Sequence, residues 1–420
     1  MIKHTWFKTL IAVAVAGASC HVMANGLAVN EQSVSGMGTS FAGRSSSAQD
    51  ASTVFGNPAG MSRLQRAEIS GGVAAIWPET DIDGIEGNRA PGTNKGDIAP
   101  DAQVPFVYYV RPMNDKWHVG LGLYVPFGVI SDYEKSFQGR DHGLYSKVQV
   151  TTLQPTISYR INDRVAVGFG PTINKIDGKL TKNPMAHAQL GLASSPNAHA
   201  RIKGDDIAYG YNLGVLVDVT DRLAWGLSYR SKVEYELEGT ISYSDFHPAT
   251  GFFGTHDGTV DLTLPESVDT SVTYRANDKW TLYAGSTWTR WSRLKELAVV
   301  HDGPQPNPVE PLNWENTWSH AIGVAYQVTP AVVLRSGFAL DASPTTNEHR
   351  TVRIPVSNRK IYSLGLGWNI DQDWTVDVAY AYVDESKGQV NQAGNGITAD
   401  YHAQYDNSAH GLGVQLTHRF

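Results

Sequence analysis

Cysteine is all but missing from this chain: Cys20 is the only one, and it lies among the first 24 residues. The rest of the chain therefore has no disulfide, no thiolate nucleophile and no cysteine metal site. Stability must come from backbone pairing and packing. No later apolar run reaches the roughly 18 residues a membrane helix needs, which excludes transmembrane helices. Positive charge is also short. The formal balance is −7, and removing Lys3 and Lys8 takes it from −7 to −9. Such a chain is a poor partner for nucleic acid.

What is present begins with an export signal. Lys3 and Lys8 give a basic start, Thr9 to Ala18 a short apolar run, and Val22-Met23-Ala24 a peptidase-type ending. Residues 1–24 are expected to be cleaved after Ala24. A lipidated Cys20 is the competing reading, but Gly17-Ala18-Ser19 lacks the aliphatic residue it requires.

Glycine and aromatics are abundant together, with Gly 41, Tyr 19 and Trp 11, as suits strands, turns and interfacial rings. From Glu68 onward, fourteen segments have strand character. In Trp374 to Val383, Trp374, Val376, Val378, Tyr380 and Tyr382 share one face, and Thr375, Asp377, Ala379 and Ala381 the other. Leu223 to Arg230 alternates in the same way. A soluble sandwich would bury the aromatic face; a membrane barrel would turn it to lipid.

The connections separate these alternatives. Six are short: Asn114-Asp115-Lys116, Asn162-Asp163-Arg164, Thr220-Asp221-Arg222, Asn277-Asp278-Lys279, Thr329-Pro330 and Asp371-Gln372-Asp373. Asn and Asp tolerate the φ values that tight hairpins need. Seven others are long and polar, near residues 79–101, 131–144, 178–205, 241–257, 293–312, 341–358 and 385–408. Strict alternation of short and long matches the turns and loops of an outer-membrane barrel, and a sandwich has no reason to sort them. The end of the chain puts Leu412, Val414, Leu416, His418 and Phe420 on one face. A final aromatic there resembles the signature that barrel assembly machinery recognises. The fold expected for residues 67–420 is thus all-β, a 14-stranded antiparallel transmembrane β-barrel in the outer membrane of a Gram-negative cell.

Residues 25–66 do not alternate. They are rich in Gly, Ser and Ala, yet Leu27, Val29, Met37, Phe41, Val54 and Phe55 are too apolar for a solvated tail. A plug in the lumen is the better reading. Asn30-Glu31-Gln32-Ser33, Gly36-Met37-Gly38, Phe41-Ala42-Gly43, Asp50-Ala51-Ser52 and Asn57-Pro58-Ala59-Gly60-Met61 resemble the N-terminal hatch of the FadL family. That family comprises outer-membrane transporters of long-chain fatty acids and their aromatic-hydrocarbon relatives. Asn57, Pro58 and Ala59 match its hatch tripeptide. The resemblance continues at Tyr229-Arg230-Ser231, Leu264-Pro265-Glu266, Trp291-Ser292 and Ser343-Pro344, and covers essentially the whole mature chain. It implies a fourteen-stranded barrel closed by a hatch and a ligand captured among the outer loops. Transfer to an inner pocket and sideways release at a kinked third strand would follow. It also implies a monomer, with no catalysis and no cofactor.

In the third strand, Pro126 cannot donate to a ladder and Gly128 often marks a bulge, with Phe127 between them. An ordinary strand end would account for the same residues, but the resemblance places the kink here. A carboxylate ligand wants a cation near its head group. By the resemblance that candidate is Lys182, with Lys175 and Lys179 nearby; a solvated loop-base lysine is the plainer account. The family's second basic position falls here on Ala298, which leaves room for an uncharged substrate.

Asp81-Ile82-Asp83-Gly84 offers only part of a calcium loop, and His187, His199, His301 and His349 lack metal spacing. No nucleophile elbow is present. Trp77, Trp117, Trp225, Trp280, Trp288, Trp368 and Trp374 fall near strand ends, as an interfacial girdle would. The function expected is uptake of hydrophobic small molecules, fatty acids before aromatic hydrocarbons, among outer-membrane lipids. A charged general porin and a barrel lipase are the remaining alternatives.

Overall fold

The computed structural model of the chain describes residues 26–86, 91–95, 98–183, 197–394 and 398–420. The expected signal, residues 1–24, and His187 lie outside the described residues. Period-two segments joined by tight turns form an antiparallel meander of fourteen strands that closes on itself. The first six are β1 (Glu68–Glu86), β2 (Ala102–Pro112), β3 (Trp117–Asp132), β4 (Tyr145–Arg160), β5 (Val165–Lys182) and β6 (His199–Asp218). β7 runs as Leu223–Arg230 and then Val233–Ser244, and β8 as Gly254–Leu264 and then Ser267–Arg275. β9 (Trp280–Thr289), β10 (Thr317–Thr329), β11 (Val332–Asp341), β12 (Arg359–Asn369), β13 (Trp374–Glu385) and β14 (Tyr401–Arg419) complete the wall. β14 pairs with β1 from Arg419 opposite Glu68 to Gln404 opposite Asp83, so the sheet closes on itself.

The wall is inside-out relative to a soluble protein. Ile69, Val73, Leu121, Leu282, Leu364 and Val414 are exposed on the outer face, while Gln154, Asn212, Ser271, Asp377 and Gln415 are buried on the inner one. Trp374 is exposed and Thr375, Asp377, Ala379 and Ala381 are buried, as the alternation predicts. Trp117, Trp280, Trp368 and Trp374 ring the turn end, with Trp77 and Trp318 also exposed. Ion pairs cross-link the strands inside: Arg335 of β11 reaches past β12 to Asp377 of β13 at 2.6 Å, while Arg419 with Glu68 at 2.9 Å and Arg359 with Asp341 join neighbouring strands.

All six short connections are turns, but the reason differs from the φ argument. None of their Asn or Asp residues has a positive φ. Instead the first side-chain oxygen accepts two backbone N–H groups. Asn114 Oδ1 takes those of Lys116 and Trp117 at 3.0 and 2.9 Å, and Asp371 Oδ1 those of Asp373 and Trp374 at 2.8 Å each. Asn162, Thr220, Asn277 and Thr329 repeat the arrangement. A second difference concerns length. Residues 79–86, 178–182, 199–205 and 401–408, expected as loop, are strand. There the ladder continues above the apolar band, where solvent relaxes the need for an apolar outer face.

Residues 26–66 lie inside this wall. They form α1 (Val34–Met37), α2 (Thr53–Gly56) and a 3₁₀ turn at Pro58–Arg63. Glycines on the wall let their backbone come close. A Cβ on Gly226 would sit 1.8 Å from Ser45 O, and one on Gly285 2.3 Å from Ala42 O. Gly337, Gly365 and Gly413 receive Thr39, Gly38 and Val34 in the same way.

Candidate functional site: an apolar path through the barrel

Asn57 is fully buried against the wall. Its Nδ2 donates to Ser45 O at 2.6 Å and to Val215 O of β6 at 2.9 Å, and its Oδ1 accepts Ala59 N at 3.0 Å. Pro58 follows at the first position of the 3₁₀ turn, where its missing N–H is no loss. Pro58 and Ala59 pack on Gly168 and Gly214, which have no side chain to exclude them. The tripeptide thus binds two stretches of the inner segment to the wall.

The start of that segment meets β3. Val29 N donates to Pro126 O at 2.9 Å, Gly128 N to Leu27 O at 2.8 Å, and Gln32 Nε2 to Val125 O at 2.6 Å. An isolated bridge joins Ala28 to Phe127. Here the ladder between β3 and β4 shifts register between Tyr124 and Phe127. On its other side, β3 pairs with β2 only from Pro112 opposite His118 to Val107 opposite Leu123. Above Leu123 the two strands part, although β2 remains paired to β1 as far as Ala102. Residues 27–29 therefore occupy the ladder position that β2 vacates.

Three spaces follow one another from the loop end inward. An outer pocket is lined by Leu180, Lys182, Ile241, Tyr243, Phe246, Phe252, Leu297 and Arg353. A middle pocket shares Leu180, Ile202, Leu297 and Val299 with it and adds Val148, Leu237, Val260 and Leu262. The apolar cluster that forms its walls continues without a break to Leu27, Phe127, Trp291 and Trp314. The Trp291 ring stands edge-on to Phe127 at 6.2 Å and to Trp314 at 5.1 Å. Below them an inner cavity is lined by Ala28, Phe41, Arg44, Phe55, Tyr124, Pro126, Phe127 and Arg230. In the sequence Trp291 stands out only through the family resemblance, with Ser292, and Trp314 not at all; nothing local marks either as core.

Lys182 lies on the inward face of β5 with buried Ile176, and Lys175 and Lys179 on the outward face. Period two thus separates the three lysines. Lys175 pairs with Asp177 at 3.1 Å, and Lys179 sits over the Tyr145 ring at 4.6 Å. Burial, with help from the Arg353 charge, holds the Lys182 pKa below the ordinary lysine value, while Glu310 and Asp141 oppose the shift. Ala298 pairs with Val309 in a short rim ladder and carries no charge. The second cation beside Lys182 is instead Arg353, delivered by the connection between β11 and β12. Its Nε donates to Glu310 at 3.1 Å and its Nη1 to Ser146 Oγ at 3.0 Å. No sequence spacing relates Arg353 to Lys182.

Comparison with known proteins agrees with this architecture. Residues 15–420 match the family described as outer membrane protein transport protein (OMPP1/FadL/TodX). A long-chain fatty acid transport protein of Escherichia coli is 27% identical, covering 100% of this chain and 99% of the relative. A putative outer membrane protein of Neisseria meningitidis is 30% identical, covering 98% of each. Among solved structures, a Pseudomonas aeruginosa FadL homologue superposes with a TM-score of 0.83 at 24% identity, covering 94% of this chain and 100% of the other. The Ralstonia pickettii toluene transporter TbuX gives 0.66 at 15% identity, covering 92% and 97%. With that match over nearly its whole length, this outer-membrane barrel belongs to the OMPP1/FadL/TodX family of transport proteins.

Proposed function

We propose that this chain takes up long-chain fatty acids, by capture in the outer pocket, passage along the apolar path and sideways release between β2 and β3. The observation that carries the reading is the unbroken apolar lining from Phe246 and Phe252 at the rim to Phe127 at the parted strands. Each CH₂ buried along such a path stabilises an acyl chain by roughly 0.8 kcal/mol, which a water-filled pore would not do. Lys182, with Arg353 beside it, is the head-group candidate. Pro126, Phe127 and Gly128 form the release site, and the strap at residues 27–29 must leave its ladder position for the gap to open. Residues 25–66 serve as a hatch anchored by Asn57, Pro58 and Ala59. Phe420 presents the aromatic end that assembly machinery recognises, and the barrel works as a monomer among outer-membrane lipids. No step needs a cofactor or a covalent intermediate.

A second reading, uptake of aromatic hydrocarbons, draws support from Ala298, where the family pattern wants a cation. Uptake of radiolabelled oleate beside labelled toluene, in cells lacking their own fatty acid transporter, separates the two. Saturable oleate uptake that weakens in Lys182→Ala is the expected result. Toluene uptake without oleate uptake would move the chain to the second reading, and neither would sink both.

A further inference from the structure

β7 breaks at Ser231 and Lys232, opposite the break of β8 at Pro265 and Glu266. The break leaves a gap in the wall. β6 is paired along its full length to β5, from Val217 opposite Val165 to Ala200 opposite Lys182. On the other side it pairs with β7 from Asp218 to Asn212, and again from Asp205 to His199. Among the described residues, Asp206–Gly210 have no ladder partner on β7, and Tyr211 keeps one backbone bond, from Ser231 N to its carbonyl at 2.9 Å. Side chains stand in: Tyr211 N donates to Ser231 Oγ and Glu236 N to Asp206 Oδ2, both at 2.9 Å.

From these observations we infer a second side mouth between β6 and β7, which admits single-chain anionic amphiphiles from the outer leaflet to the inner cavity. The cavity reaches this gap, because Tyr211, Ser231 and Val233 line it although the Tyr211 side chain is 41% exposed on the outer face. The rim of the gap also has the polarity of the head-group level. Below it the rings of Tyr211 and Tyr229 lie 5.9 Å apart, with Tyr209 73% exposed beside them. Above it stand Asp206, Glu236 and the Lys232–Glu234 pair. Aromatics on the apolar side and charges on the polar side mark where a lipid's head meets its tail.

The mouth has donors to spend on an anion. Arg230 adjoins the gap and lines the cavity; its guanidinium stacks on Phe55 at 3.6 Å and donates to Phe55 O, but its buried Nε has no partner. The buried hydroxyl of Tyr235 is also unpartnered. An amphiphile sliding sideways keeps its head at this level, where Arg230 Nε can receive a carboxylate while the tail turns into the cavity. At Gly210 the two strands come close, since a Cβ there would meet Ser231 Oγ at 2.9 Å and Val233 Cγ2 at 3.0 Å, so Ser231 and Val233 are the side chains that move aside for the tail.

The inference rests on the uptake reading and adds a way in that bypasses the loops. The test is photolabelling of the full chain in bilayers with a diazirine-bearing C16 fatty acid, mapped by mass spectrometry. Label on Tyr211, Ser231 and Val233 that excess oleate displaces is expected. In Arg230→Gln that label should fall about tenfold, the effect of losing one charge-assisted contact, while label at Phe127 persists. Displaceable label at Phe127 and the outer pocket alone would overturn the second mouth and leave the uptake reading standing. No displaceable label anywhere in the barrel would overturn both. The wild-type map decides the matter even if Arg230→Gln does not assemble.

Discussion

At Asn57 one side chain makes three hydrogen bonds, two of them across different parts of the chain. Each is worth about 1 kcal/mol net, and a buried partner left unsatisfied costs more. Asn57→Ala should therefore loosen the inner segment without unfolding the barrel, and raise ion conductance in planar bilayers. A silent, closed channel would show that the anchor lies elsewhere. Glu385, beyond the apolar band at the loop end of β13, is a pH-sensitive contact. Its Oε1 accepts Ser357 N and Asn407 Nδ2, both at 2.7 Å, and burial pushes its pKa up from the usual carboxylate range to about 7, with Arg359 opposing. A folded pKa raised above the unfolded one means stability that is full below about 4.5 and is lost as pH rises through about 7. Proteolysis of the 342–358 connection should thus speed up on raising the pH across 7, and Glu385→Gln should flatten that dependence. Unchanged cleavage in both proteins would remove Glu385 from the account.

Strand identity was legible wherever outer-face apolar residues alternate with small or polar ones, as from Trp374 to Val383. It was not legible where β1, β5, β6 and β14 rise above the lipid, because a wetted ladder needs no apolar face. The charge beside Lys182 was hidden for another reason: Arg353 reaches it through the barrel's curvature, and neither residue is a sequence neighbour of the other. The parting of β6 from β7 left only faint marks, Ser231-Lys232 and Pro265-Glu266. Two substitutions test elements. Gly226→Val places methyl groups where Ser45 O now lies, so the barrel should assemble while the inner segment loses its seat and conductance rises. Gly128→Val acts on β3, where the glycine N–H is bonded to Leu27 O. Oleate uptake is expected to slow severalfold with assembly intact, and wild-type rates would count against release at this strand.

For the whole molecule, closure substitutes for covalent staples. With Cys20 as its only cysteine the chain can form no internal disulfide, so the barrel should show the same heat-modified gel mobility with and without reductant. Deleting residues 26–60 is a harsher test. The wall closes on itself without them, apart from the ladder position beside β3 that residues 27–29 fill, so a barrel should still form, and it should leak small polar solutes. Loss of the barrel instead would mean that the lumen filling helps to fold the wall.

The inner segment is made first and seated last. Val34 N is bonded to Gln415 Oε1 at 2.9 Å, and Gln415 Nε2 to Asp50 at 2.9 Å, so two of its attachments depend on the final strand. Its contacts with β3, β6, β9, β11 and β12 also await later parts of the chain. Closing β14 on β1 therefore completes the seat of some forty residues that precede the whole wall in the chain, and the seat is finished only when the last strand is in place.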